Sequence, residues 1–125
     1  MRAINRERGT ELARSVEKAD SFRTRLSGLI GRPFLTEGTA LWIIPCRGVH
    51  TRGMTFPIDV LFLDRTLKVV AVEEDLHPGR MTAIRWKART VLELPAGTLR
   101  RTGTRPGDQI DMSHADEEYT PRRTT

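Results

Sequence analysis

From Pro33 onward the apolar positions fall into short runs punctuated by glycine, proline and aspartate, the pattern of strands and turns. Ala40-Leu41-Trp42-Ile43-Ile44 is the first run. Residues 58–63 are apolar except for Asp59, which predicts a strand covered on both faces, and Asp64-Arg65-Thr66 can turn it back into a partner over 67–72. Thr90-Val91-Leu92-Glu93-Leu94 reads as a further strand stopped by Pro95. Gln109-Ile110-Asp111-Met112 reads as the last, entered through the turn Arg105-Pro106-Gly107-Asp108. Closely spaced short strands predict a mainly β fold, a small β-sandwich or partly closed barrel with one short N-terminal helix.

The first thirty residues support two readings. Leu12, Val16, Ala19, Phe22, Leu26 and Leu29 share one face of a helix running from Thr10 to Ile30. Alternatively, Arg14 to Lys18 alternate as a strand and a helix begins at Asp20, whose carboxylate can cap the N–H groups of Phe22 or Arg23. Gly31 and Pro33 end the helix in either reading. Beyond Met112 there is one aromatic and no aliphatic residue larger than alanine. Residues 1–112 are therefore expected to form a single domain, and 113–125 a disordered tail.

A chain of 125 residues and 14.2 kDa has the length of one domain. Its longest apolar runs, 40–45 and 60–63, fall far short of the roughly 20 residues of a membrane-crossing helix. The basic N-terminal residues have no apolar stretch behind them, so no secretory signal is expected; the expected location is the cytoplasm, with no membrane partner. Lysine and arginine number 21 against 16 acids, a net charge of +5, and only Lys18, Lys68 and Lys87 are lysines. Arginine grips carboxylate or phosphate with two parallel hydrogen bonds, but the basic residues alternate with acids along the chain, which disfavours nucleic acid as a partner. Cys46 is the sole cysteine, so an internal disulfide and a four-cysteine zinc site are excluded.

Several motifs stand in register along the chain: Gly28-Leu29-Ile30-Gly31-Arg32, then Phe56-Pro57-Ile58-Asp59-Val60-Leu61-Phe62, then Val91-Leu92-Glu93-Leu94-Pro95-Ala96-Gly97, then Gly107-Asp108. In order and spacing they resemble domain-of-unknown-function family 192, over about residues 14 to 112. The resemblance implies a mainly β, jelly-roll-like fold and favours the short-helix reading. It implies no reaction, because that family has no established activity. Many of its members carry Trp-Met-Lys-Asn where this chain has His50-Thr51-Arg52-Gly53, so a flat aromatic gives way to a titratable imidazole while the basic third position persists as Arg52.

Cys46, His50 and Asp59 supply the nucleophile, base and orienting acid of cysteine catalysis. In a straight strand, residues four apart lie about 13 Å from one another at roughly 3.3 Å per residue, too far for proton transfer unless Gly48 bends the chain. The plainer alternative is a buried cysteine and a surface histidine. A metal site built on Cys46 and His50 with Asp59 or His77 lacks a full ligand set, and no metal or cofactor is expected.

Asp59 lies among Ile58, Val60 and Leu61, where a carboxylate needs partners; Arg52, N–H groups after Pro57 or the Thr55 hydroxyl are candidates, making it a clamp for the preceding loop. Glu93 faces away from Leu92 and Leu94, and is either solvated or, if that face is covered, in need of a partner. Gly28-Leu29-Ile30-Gly31-Arg32 lacks the lysine and hydroxyl ending of a phosphate-binding loop. Trp42 and Trp86 are placed in the core or at its edge.

The leading expectation is a binding module whose loop 46–56 presents His50 and Arg52, with Asp59 and Glu93 as further ligand-binding candidates, to a small acidic ligand or a protein partner. A small enzyme using Cys46, His50 and Asp59 is the alternative from another class. Weak nucleic-acid association through arginines is the third.

Overall fold

The computed structural model describes residues 1–19, 32 and 34–113. Their elements run β1 (Arg2–Asn5), β2 (Thr10–Ala13), β3 (Ser15–Ala19), β4 (Thr39–Ile43), β5 (Ile58–Leu63), β6 (Val69–Leu76), β7 (Thr90–Pro95), α1 (Thr98–Thr102) and β8 (Ile110–Ser113). Three strands form one sheet in the order β2-β1-β8, and five form a second in the order β3-β4-β7-β5-β6. Only β3 and β4 pair in parallel; all other neighbours are antiparallel. Neither sheet closes into a barrel. No helix among the described residues is long and apolar enough to cross a membrane.

The mainly β expectation holds, with a correction at the N-terminus. Residues 10–13 and 15–19 are strands of different sheets, so a continuous helix from Thr10 is ruled out. Leu12 and Val16 are buried from those two sheets into the same core, which is why their spacing also suited one helical face. The helix expected after Asp20 falls on residues outside those described. The helix that is described lies in the C-terminal half, at Thr98–Thr102. The expected tail lies outside the described residues from 114 onward, and β8 extends to Ser113.

Strand β1 was not anticipated. Its end is fixed by Asn5, which is fully buried and whose side-chain oxygen accepts the N–H groups of Glu7 and Arg8, turning the chain into β2 through Gly9 at φ 66°. The amide of Asn5 also donates to Thr104 and Asp108. Asp108 in turn accepts from Arg8 Nε and the Arg105 N–H, so one polar knot joins the first turn to the entry of β8.

Two apolar clusters flank the larger sheet. Leu61, Leu63, Leu92 and Leu94 point toward the smaller sheet, where they meet Ala3, Leu12 and Ile110, and Leu99 of α1. On the opposite face Ile58, Val60, Phe62 and Val91 are covered by Val49 and Met54 of the loop 46–56 and by Ala88. Hence β5 is buried at all six positions, as its nearly unbroken apolar run predicts. The turn from β5 to β6 is held by Asp64, whose carboxylate accepts the N–H groups of Thr66 and Lys68.

Candidate functional site

Asp59 is the first sequence candidate to be placed, and it is turned away from the others. It is 0% exposed and points to the same side of the sheet as Leu61 and Leu63. One carboxylate oxygen accepts the Asp75 N–H and the other accepts the Leu99 N–H, both at 2.8 Å. Asp75 sits at φ 53°, in the stretch where the pairing of β5 and β6 shifts register between Ile58 and Val60. Leu99 lies in the first turn of α1, whose N-cap is Gly97 with no side chain to offer. Asp59 thus clamps a bulge and a helix start rather than the loop before it. Of the other proposed partners, Thr55 donates to the Arg32 carbonyl and Arg52 is exposed.

Glu93 points to the opposite face, and that face is covered. Its exposure is 4%. In the strand register, Leu41 and Val60 stand directly across from it, while Glu17 stands across from Leu41 and Glu73 across from Val60. One row across the sheet therefore reads Glu17, Leu41, Glu93, Val60, Glu73, with carboxylates alternating with apolar side chains. Arg32 pairs with Glu17 and Arg85 with Glu73, each at 3.2 Å. Burial pushes the Glu93 carboxyl up to about 7 against an opposing pull from the Arg32 guanidinium.

The loop 46–56 is built around a residue that sequence reasoning passed over. Thr51 is fully buried; its hydroxyl donates to the His77 carbonyl at 2.6 Å and accepts the Arg80 N–H at 2.8 Å. Its own N–H donates to the Arg80 carbonyl, and its carbonyl accepts from Met54 and Gly79. His50 forms an isolated antiparallel bridge with Met81. Thr82 repeats the device one step on, its N–H donating to the Val49 carbonyl and its hydroxyl accepting the Val49 N–H. A threonine between two exposed residues carries no periodicity, so nothing in the sequence marks its burial. Thr51→Val keeps the shape and removes the hydroxyl, leaving the partly buried Arg80 N–H without its acceptor. The variant is expected to lose about 2 kcal/mol in urea unfolding and to speed amide exchange around residues 77–81.

With Thr51 turned in, its neighbours His50 and Arg52 are turned out, as are His77 and Arg80 on the facing loop. Cys46 is half-buried, donates its thiol to the Gly48 carbonyl at 3.0 Å and packs under the same loop. Gly48 makes room for Ile84, whose Cδ1 would lie 2.8 Å from a Cβ at that position. The structure brings His50 and Arg52 to one surface, with Glu93 below their loop's apolar cover and Asp59 on the far side of the sheet. Among the described residues no group of three or more His, Cys, Asp or Glu side chains is placed to hold a metal ion.

Trp86 corrects an expectation. It is not core: its exposure is 77%, and Met81 at 79% and Ile84 at 52% stand on the same loop. The cause is local, since backbone bonds from Thr82, Arg85 and Ala88 fix the loop with Thr82 and Ala88 inward, leaving the remaining side chains to water. Trp42, by contrast, is half-buried in β4, with the Lys18 ammonium 5.8 Å above its ring.

Segments 46–56 and 77–89 carry six lysines and arginines and no acid, leaving fifteen cations against sixteen acids in the rest of the chain. By sequence count these two segments hold the positive balance, and at their border Glu73 and Asp75 of β6 pair with Arg85 and His77. Two cavities lie elsewhere. One of about 450 Å³ is bordered by Leu12, Arg14, Glu37 and Arg101, and one of about 190 Å³ by Glu17, Arg32 and Phe34.

Comparison with known proteins agrees with the fold. The chain is 29% identical to a UPF0127 protein of Thermococcus sibiricus over 119 residues, 91% of this chain and 76% of the relative. Among solved structures it is similar to a Sinorhizobium meliloti protein provisionally described as a transcription regulator, with a TM-score of 0.75, 25% identity and coverage of 88% of this chain and 89% of that one. A Novosphingobium aromaticivorans protein of unknown function shares the fold at a TM-score of 0.70 and 21% identity, over 78% of this chain and 74% of its own. The profile of DUF192, the uncharacterized ACR family, matches residues 3–112, and the chain belongs to that family.

Proposed function

We propose that this domain is a binding module that meets an anionic partner through the paired loops 46–56 and 77–89. The carrying observation is the concentration of charge: the two loops, stapled together by Thr51 and Thr82, carry six cations and no acid of their own, and of these Arg52, Arg80, Lys87 and Arg89 are exposed beside His50, while Arg85 is paired with Glu73 and His77 with Asp75. A pinned loop presents its side chains with little ordering left to do on binding. Of the two occupants expected from sequence, an extended partner surface suits these exposed loops better than a small acidic ligand, which needs a concave site. The cysteine-enzyme reading has less support, because Asp59 spends both oxygens on backbone N–H groups across the sheet from His50. Carrying over the Sinorhizobium protein's description would make nucleic acid the polyanion. Three large apolar side chains exposed among the cations suit a phosphate backbone poorly.

Immobilised polyglutamate tests the reading. The protein is expected to be retained at low salt and released as salt rises. An Arg52→Glu, Arg80→Glu variant should elute far earlier, whereas Arg101→Glu, Arg105→Glu, with the same change in net charge, should elute close to the parent. Equal shifts for the two variants would mean that net charge alone governs retention and would remove the assignment to these loops.

A further inference from the structure

The charge of the two loops accounts for only half of what they expose. Met81, Ile84 and Trp86 are 79%, 52% and 77% exposed, and they alternate in sequence with basic residues: Arg80-Met81, then Ile84-Arg85-Trp86-Lys87. Exposed apolar side chains grouped on one loop mark a contact surface. Here they project from a frame fixed at Thr82, Arg85 and Ala88, so their exposure is imposed by the backbone.

The occupant must offer negative charge and a place for apolar side chains together. A second copy of the chain fails, because a symmetric contact through this face would set Arg52, Arg80, Lys87 and Arg89 against their own copies. Nucleic acid supplies the charge but not an apolar medium along its backbone. A lipid bilayer supplies both in one plane, with anionic phosphates at the surface and an interfacial layer that tryptophan prefers. The sequence excluded a membrane because nothing can span one, but a surface contact requires no span.

We propose that this face docks on an anionic lipid surface, with Met81, Ile84 and Trp86 entering the interfacial layer and Arg52, Arg80, Lys87 and Arg89 resting against lipid phosphates. The proposal rests on the assignment of the two loops as the binding surface and names what they bind.

The test uses the full chain in a Trp42→Phe background, so that Trp86 alone reports, with vesicles of phosphatidylcholine alone and of phosphatidylcholine mixed with phosphatidylglycerol. Vesicles containing phosphatidylglycerol should sediment the protein and shift Trp86 emission to the blue, and added salt should reverse both effects. Neutral vesicles should do neither. Replacing Trp86 and Met81 by alanine should weaken partitioning at least about tenfold without lowering the melting temperature, since these two side chains are 77% and 79% exposed. Equal binding to neutral vesicles, binding with unshifted Trp86 emission, or full binding by the alanine variant would overturn the proposal. Retention on polyglutamate without vesicle binding would also overturn it while leaving the binding-module reading intact, and failure on both supports would remove both.

Discussion

Asp59→Ala is expected to cost about 4 kcal/mol of folding stability, a large share of the roughly 5–15 kcal/mol that holds a typical domain together. The carboxylate is fully buried and each oxygen holds one backbone N–H, from Asp75 at the bulge of β6 and from Leu99 in the first turn of α1. Truncation strands the Leu99 N–H in the core and frees the partly buried Asp75 N–H; an unsatisfied buried donor costs about 1–3 kcal/mol, to which the cavity adds. Asp59→Asn preserves volume and one acceptor, so it should lose about half as much. Urea unfolding followed by far-UV circular dichroism measures both. A loss under about 1 kcal/mol for the alanine variant would show that the two N–H groups find other partners.

The second large effect belongs to Glu93 and depends on pH. Burial raises its carboxyl from the ordinary 4.5 to about 7 in the folded protein. The folded chain therefore holds this proton more tightly than the unfolded one, and the stabilisation is complete below the unfolded value and declines as pH rises through the folded value. At about 1.4 kcal/mol per unit, the wild-type protein should lose about 3 kcal/mol from this group between pH 4.5 and just above 7. Glu93→Gln keeps the shape of the neutral acid and cannot ionise. Its stability relative to wild type should rise with pH and level off above pH 7, and subtracting the two profiles cancels the histidines common to both. Parallel profiles would rule out a buried ionisation at Glu93. Removing the Arg32 guanidinium should steepen the decline, because its charge partly offsets the burial.

The strands were legible where their surroundings were uniform. Residues 58–63 are apolar because both faces of β5 are covered, and Asp64-Arg65-Thr66 forms its turn through side-chain bonds that span four residues. What could not be read depended on distant groups. The acceptor for Leu99 comes from Asp59, forty residues away, and no local pattern announces it. Glu93 could be narrowed to a face but not to a buried one, since its cover comes from Val49 and Met54 in a loop with no period of its own. Trp86 was misplaced because a tryptophan normally signals burial, and only the backbone bonds of its loop reveal that it faces out. The six cations also look dispersed until two loops separated in sequence are brought side by side.

The smaller sheet has a bearing on synthesis. Its middle strand, β1, is made long before its neighbour β8, with which it pairs from Arg2 with Ser113 to Asn5 with Ile110. A ribosome-bound chain that has not yet released 110–113 can assemble the five-stranded sheet but leaves β1 with an open edge and its side of the inter-sheet core without Ile110. Closure of the smaller sheet is thus coupled to synthesis of β8, and the growing chain must keep Ala3 and Ile4 from other partners until then.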